Sequence, residues 1–160
     1  MCYQPTGLPM FLLKNVLQLS CLLIALLTSN VSLACGCDLG SVDDKVNNAE
    51  SVFLGKVRSV NILGEKNGLG EDRIIVEFDV TISFKGSDSP ITLDTFDNTV
   101  SCEGYWFKKG QEYLVYTYEV EERLSTFFCG GVLPKNLQKE SVFLKELNRL
   151  KHILGDGNNK

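Results

Sequence analysis

The sequence feature that most constrains the fold is a set of four cysteines, the first of which directly follows a segment with the pattern of a cleavable leader. A mostly apolar run covers residues 16–27, and the small residues Ser32 and Ala34 lie three and one positions before Cys35. A basic flank, an apolar run and small residues at these positions are typical of a signal peptide. We therefore expect residues 1–34 to be removed and the mature protein to be secreted or periplasmic.

The apolar run of the leader is too short to cross a membrane. A spanning helix needs about 20 consecutive apolar residues, and no second run of this kind follows in the sequence. We therefore expect no membrane span in the mature protein.

The four cysteines that remain after the leader are Cys35, Cys37, Cys102 and Cys129. An even number of cysteines in an exported chain predicts two disulfide bonds. A bond between Cys35 and Cys37 would close too small a ring, so each of these two is expected to pair with one of the distant cysteines. Such a bond closes a long loop and stabilises a fold by roughly 4 kcal/mol in the chain-entropy treatment.

The charge of the mature chain argues against nucleic acid as a partner. The sequence has 16 basic and 20 acidic residues, and the leader removes one basic residue, which leaves a net charge of about −5. The sequence contains no basic stripe that would release counterions from phosphates. About 126 residues remain, which is enough for one domain with one hydrophobic core.

Alternation of apolar and polar residues predicts a mainly β domain. In the clearest run, residues 74–84, an apolar side chain occupies every second position, which is the period of a strand with one buried face. Residues 64–72 form a polar, glycine-rich loop before it. Four further segments rich in β-branched and aromatic residues are predicted strands: 51–62, 91–96, 112–119 and 124–128.

One helix is predicted near each end of the mature chain. Ser41 is a hydroxyl cap with the acid Asp44 three residues later, before a short helix over residues 45–50. Four apolar residues recur at helical spacing and predict a C-terminal amphipathic helix that packs on the strands: Phe143, Leu147, Leu150 and Leu154.

Five short strands with a helix near each end favour a disulfide-stapled, OB-fold-like barrel. A split β-sandwich is the alternative, because strand order does not follow from these patterns. We expect the domain to extend over residues 35–155 and a disordered tail to follow at residues 156–160.

Cleavage of the leader would make Cys35 the first residue of a chain end that crosslinks hold in place. A free α-amine has a pKa near 7.7 to 8.0, so a useful fraction is neutral at physiological pH. The amine and the carbonyl oxygen of the same residue can chelate one metal ion. Catalytic zinc in peptidases keeps a coordination position open for water, and such a chain end would fit that position.

Five segments carry a resemblance to a known family: residues 35–37, 52–57, 100–107, 113–116 and 124–129. These segments extend over nearly the whole mature chain. They resemble the inhibitory, netrin-like domain of the tissue inhibitors of metalloproteinases, whose mature chain opens with Cys-x-Cys.

The resemblance implies that the amine and carbonyl oxygen of Cys35 bind the catalytic zinc of a metalloendopeptidase. It also implies the disulfide bonds Cys35–Cys102 and Cys37–Cys129, and a monomer that needs no cofactor. The implied inhibitory ridge consists of Cys35, Gly36, Cys37, Asp38, Val100 and Ser101.

Gly36 stands where the family usually has a side chain that enters the specificity pocket of the protease. Burial of a medium-sized side chain is worth roughly 1.5 to 3 kcal/mol, or about one to two powers of ten in affinity. We therefore expect either weak inhibition or an unusual target protease.

Two other functions compete with inhibition. The first is a netrin-like module that binds an extracellular or periplasmic protein and inhibits nothing. The second is a lipoprotein, in which Cys35 would carry lipid on its sulfur and an acyl group on its nitrogen, although Ser32 replaces the leucine that is usual in lipoprotein signals. An enzyme is not expected, because His152 is the only histidine and no nucleophile motif accompanies it.

Overall fold

A computed structural model describes residues 40–86, 90–97, 100–136, 140–155 and 158–159, all within the compact unit of residues 35–160. The predicted leader and part of the predicted tail lie outside these residues. The elements in chain order are α1 (Val42–Asn48), β1 (Ser51–Lys66), β2 (Asp72–Lys85), β3 (Ile91–Phe96), β4 (Glu112–Val120), β5 (Arg123–Ser125), β6 (Val132–Pro134), α2 (Glu140–Leu154) and β7 (Asn158–Asn159).

The main strands form a nearly closed five-stranded barrel. Their order is β3-β2-β1-β4-β5, each neighbouring pair is antiparallel, and β6 and β7 add to β4 and β2. Side chains join the two end strands, β5 and β3. Ser125 Oγ donates to Thr95 Oγ1 at 2.9 Å, and Arg123 Nη1 lies 3.5 Å from Asp94 Oδ1. The predicted mainly β, five-stranded barrel is therefore confirmed at this level.

The alternation predicted for residues 74–84 is interrupted by a bulge in β2. Gly55 pairs with Val80 and Leu54 pairs with Ile82, so Thr81 has no partner on β1. An extra residue in one strand reverses the faces on which later side chains lie. Residues before the bulge therefore enter the barrel core, whereas Ile82 packs in a second cluster on the outer face, and the predicted single buried face is wrong beyond Val80.

The barrel core is built around Phe78, which is fully buried. Its ring meets those of Phe53 and Phe107 edge-on, with centroids 5.2 and 5.3 Å apart. Edge-to-face pairs of this kind add to the free energy gained by burial alone. Phe107 follows β3 in the chain, so the same core also holds the loop that leads from β3 to β4.

The C-terminal helix packs on the outer face of the barrel, as predicted. Phe143 and Leu150 of α2 are buried against Leu114 and Tyr116 of β4. The alternate residues of β4 face the barrel core, so both faces of this strand are covered. This explains the continuous apolar run at residues 113–116. The Tyr116 hydroxyl also donates to Glu146 Oε1 of α2 at 2.8 Å.

The short N-terminal helix begins with the predicted cap. Ser41 Oγ accepts from the Asp44 backbone N–H at 3.1 Å, and the Asp44 carboxylate accepts from the Ser41 N–H at 3.1 Å. This reciprocal pair starts the helix at Val42, three residues earlier than predicted. At the other end, Lys85 Nζ donates to the carbonyl oxygens of Val46 and Ala49 at 2.9 and 2.5 Å.

We expect the Ser41→Ala substitution to lower the free energy of unfolding by about 1 kcal/mol, because it removes the capping acceptor. Urea unfolding measures the change. The control is Asn148→Ala, an exposed position in the middle of α2, where alanine is the better helix former and stability should stay equal or rise slightly. Equal losses at the two positions would contradict a capping role.

No helix within the described ranges combines the length and the apolar content that a membrane crossing requires.

Candidate functional site

The loop between β3 and β4 begins with a closed turn that is tied to the start of β2. An isolated antiparallel bridge joins Asp97 to Gly104 across this turn. Asp97 donates its N–H to the carbonyl oxygen of Asp72 at 3.0 Å, and its carboxylate accepts from the Asp72 N–H at 3.2 Å. The turn that contains Val100 and Ser101 is therefore anchored at its base.

Glu71, directly before β2, holds the tip of this turn. One carboxylate oxygen, Oε1, accepts from the backbone N–H groups of Val100 and Ser101, each at 2.7 Å. The other oxygen accepts from Asn67 Nδ2 at 2.6 Å. Glu71 is only 1% exposed, so the carboxylate lies between the β1–β2 hairpin and the turn.

The hydrogen bonds keep this buried carboxylate ionised. Burial by itself raises the pKa of Glu71, but donors from Ser101, Val100 and Asn67 outweigh burial and lower the pKa to about 2. Glu71 is therefore a fixed acceptor at physiological pH and does not exchange protons there.

Val100 leaves its side chain in solvent while its backbone is fixed. The side chain is 60% exposed, although its N–H is bound to Glu71. A rigid backbone that presents an apolar side chain suits contact with another molecule, because little conformational entropy is lost when the contact forms.

The two described cysteines lie in backbone segments that run side by side. Glu103 and Phe127 form an isolated antiparallel bridge, and Phe128 donates its N–H to the carbonyl oxygen of Cys102 at 2.9 Å. The turn with Val100 and Ser101 and the segment with Cys129 therefore meet at one end of the barrel.

An exposed aromatic cluster lies beside these cysteines. Trp106 is 50% and Phe128 37% exposed, and their ring centroids are 5.7 Å apart. Tyr105 stacks on Phe128 at 6.0 Å and also contacts the buried Tyr113. The cluster is thus a surface continuation of the barrel core.

The described residues contain only part of the predicted site. Of the implied ridge, Val100 and Ser101 lie within the described residues, and the other ridge residues, Cys35, Gly36, Cys37 and Asp38, lie outside them. The predicted pairing of Cys35 with Cys102 and of Cys37 with Cys129 therefore stays a prediction. Within the described ranges, no group of three or more His, Cys, Asp or Glu side chains could hold a metal ion.

Sequence reasoning missed Glu71 and Asn67, which it assigned to a polar loop. Asn67 Oδ1 accepts from the N–H groups of Leu69 and Glu71 at 2.9 and 3.0 Å, and this turn directs Glu71 inward. An asparagine followed four residues later by an acid, with Gly68 and Gly70 between them, was the only signal available in the sequence.

The chain was also compared with known proteins. No model of a known protein family matches it, and a search of curated proteins found no match either.

Proposed function

We propose that the protein is a secreted inhibitor of zinc metalloendopeptidases, and that the free α-amine and carbonyl oxygen of Cys35 bind the catalytic zinc of the target. The scaffold in this proposal is a netrin-like OB-fold domain. The observation that carries the proposal is the juxtaposition of Cys102 and Cys129 at one end of the barrel, beside the turn with Val100 and Ser101.

The juxtaposition matters because Cys35 and Cys37 are separated by one residue. In extended backbone, residues two apart are about 7 Å from each other. Two neighbouring half-cystines on the barrel are therefore suitable partners for both, and two bonds formed there would hold the chain end rigidly. A ligand held in its binding geometry loses little entropy when it meets a metal ion.

The barrel supports the OB-fold part of the proposal. β1 lies between β2 and β4, and β5 reaches β3 through side chains. Five antiparallel strands in a partly open barrel are the OB-fold architecture. Helix α2 covers the outer face of β4, which leaves the end with the cysteines for binding.

Inhibition by this chain end needs no acid–base chemistry. The neutral amine and the carbonyl oxygen of Cys35 would replace the zinc-bound water, which is the nucleophile of the peptidase. Val100 and Ser101 would contact the rim of the active site next to the zinc. Gly36 would leave the specificity pocket empty, which favours targets that gain little affinity from that pocket.

The test is titration of mature protein that begins with Cys35 against a panel of zinc endopeptidases. An alanine added before Cys35 removes the terminal amine from the chelating position, so we expect the inhibition constant to rise at least about 100-fold, since even outer-shell changes at metal sites cost 10- to 100-fold. The control carries the same alanine after Lys160. Equal inhibition by all three proteins would refute chelation by Cys35.

The exposed aromatic cluster favours one second candidate, a non-inhibitory module that binds another protein. Aromatic residues are enriched in the buried centres of protein interfaces. In that case Trp106→Ala would weaken binding to the partner, whereas an alanine added before Cys35 would leave that binding unchanged.

A further inference from the structure

We propose that Glu71 is a positioning residue that fixes the backbone of Val100 and Ser101 at the end of the barrel where Cys102 lies. This inference rests on the proposed function for its consequence in inhibition, but its structural part stands on the contacts of Glu71 alone.

The geometry at Glu71 is that of an anion held by backbone amides. Two successive N–H groups, those of Val100 and Ser101, converge on one oxygen at 2.7 Å each. Successive amides point at one atom only where the backbone turns into a concave, anion-binding shape. In most such sites the anion is a ligand, whereas here the chain supplies its own carboxylate.

The carboxylate is itself held in one position. Asn67 Nδ2 donates to Oε2 at 2.6 Å, and Asn67 Oδ1 accepts from the N–H of Glu71 at 3.0 Å. The Glu71 residue is only 1% exposed and both of its carboxylate oxygens accept hydrogen bonds, so its rotamer cannot change without loss of buried hydrogen bonds. A site is positioned well when its supporting groups are locked in this way.

The position of the turn bears on the proposed zinc site through the chain itself. Ser101 directly precedes Cys102 in the chain, and the proposed function requires a disulfide bond at Cys102. The carbonyl oxygen of Cys102 also accepts from the Phe128 N–H. A displacement of Val100 and Ser101 would therefore move the contact surface relative to the crosslinked end of the barrel. The resulting misfit would reduce inhibition even when the zinc ligands are intact.

The test uses the Glu71→Gln variant, in which an uncharged amide replaces the carboxylate. We expect hydrogen exchange at the Val100 and Ser101 amides to accelerate at least about tenfold, because bonds to a charged acceptor are the stronger ones. Exchange at Val115 in the barrel core should stay slower than exchange at these two amides, which would show that the turn is released while the barrel is folded. The inhibition constant for a zinc endopeptidase that the wild-type protein inhibits should rise about tenfold.

The control is Glu65→Gln, which neutralises an exposed carboxylate of β1 that is paired with Arg73 and should change neither readout. If Glu71→Gln does not fold, Glu71→Asp keeps the charge and shortens the side chain by one carbon, and the same two changes are expected. Inhibition is also followed as a function of time after the inhibitor and the peptidase are mixed, so that slower association and faster dissociation are separated.

Two results would overturn the proposal, and they differ from failure of the proposed function. Unchanged exchange at both amides would show that Glu71 does not hold the turn. Faster exchange with unchanged inhibition would show that the position of the turn has no effect on binding. A wild-type protein that inhibits no peptidase would refute the proposed function, and the exchange measurement would still decide whether Glu71 positions the turn.

Discussion

Replacement of Gly104 by alanine is expected to destabilise the fold by at least about 4 kcal/mol. Gly104 has φ +83°, a conformation that favours glycine, and a Cβ atom there would lie 1.9 Å from the Phe96 carbonyl oxygen and 2.9 Å from Thr95 Oγ1. The Gly104 N–H also donates to the carbonyl oxygen of Thr126 at 2.7 Å. Backbone therefore surrounds the site, and relief of the clash would separate β3 from the segment after β5.

Urea unfolding measures this change, with Gly110→Ala as the matched control. Gly110 has φ +79°, but no atom lies within 4 Å of a Cβ placed there. Alanine at Gly110 should therefore cost only about 1 to 2 kcal/mol for the left-handed conformation. Similar losses at Gly104 and Gly110 would contradict the close approach of Phe96.

Acid is expected to remove about 3 kcal/mol of stability through Glu71 alone. The pKa of Glu71 is about 2 in the folded protein and 4.5 as a free side chain, and each pKa unit corresponds to 1.36 kcal/mol. Because the folded pKa is the lower one, this stabilisation is present above pH 4.5 and is lost as the pH falls toward 2.

The measurement is urea unfolding of wild-type protein and Glu71→Gln at pH 6 and pH 2. The difference in stability between the two proteins should shrink by about 3 kcal/mol as the pH is lowered. Asp43 provides the control, because Arg149 lowers its pKa by a hydrogen bond in an exposed pair, and solvent screens such pairs. Asp43→Asn should therefore show a smaller pH effect, and parallel curves for wild type and Glu71→Gln would refute the assignment to Glu71.

Local patterns predicted the elements whose causes are local. The capping pair Ser41 and Asp44 predicted α1, although its start was placed three residues too late, and the apolar stripe with Phe143 and Leu150 predicted the buried side of α2. Five strands followed from residue type and alternation. The three-residue strand β6 was not predicted, because three residues carry too little pattern to indicate a strand.

Features that depend on distant parts of the chain could not be predicted in this way. The bulge at Thr81 arises from the register between β1 and β2, and no residue type in the sequence marks it. Glu71 reads as one more acid in a polar loop, because its acceptor role depends on backbone donors 29 and 30 residues away. The family resemblance predicted Val100 and Ser101 as site residues, whereas the role of Glu71 became visible only in the folded structure.

Glu71 accepts hydrogen bonds from the main chain of the turn and not from its side chains. Position 100 is therefore suited to randomisation in a library of binding variants. Every amino acid except proline carries the N–H that Glu71 Oε1 accepts, and the Val100 side chain already faces solvent. Randomisation at this codon should thus diversify recognition while the loop keeps its shape.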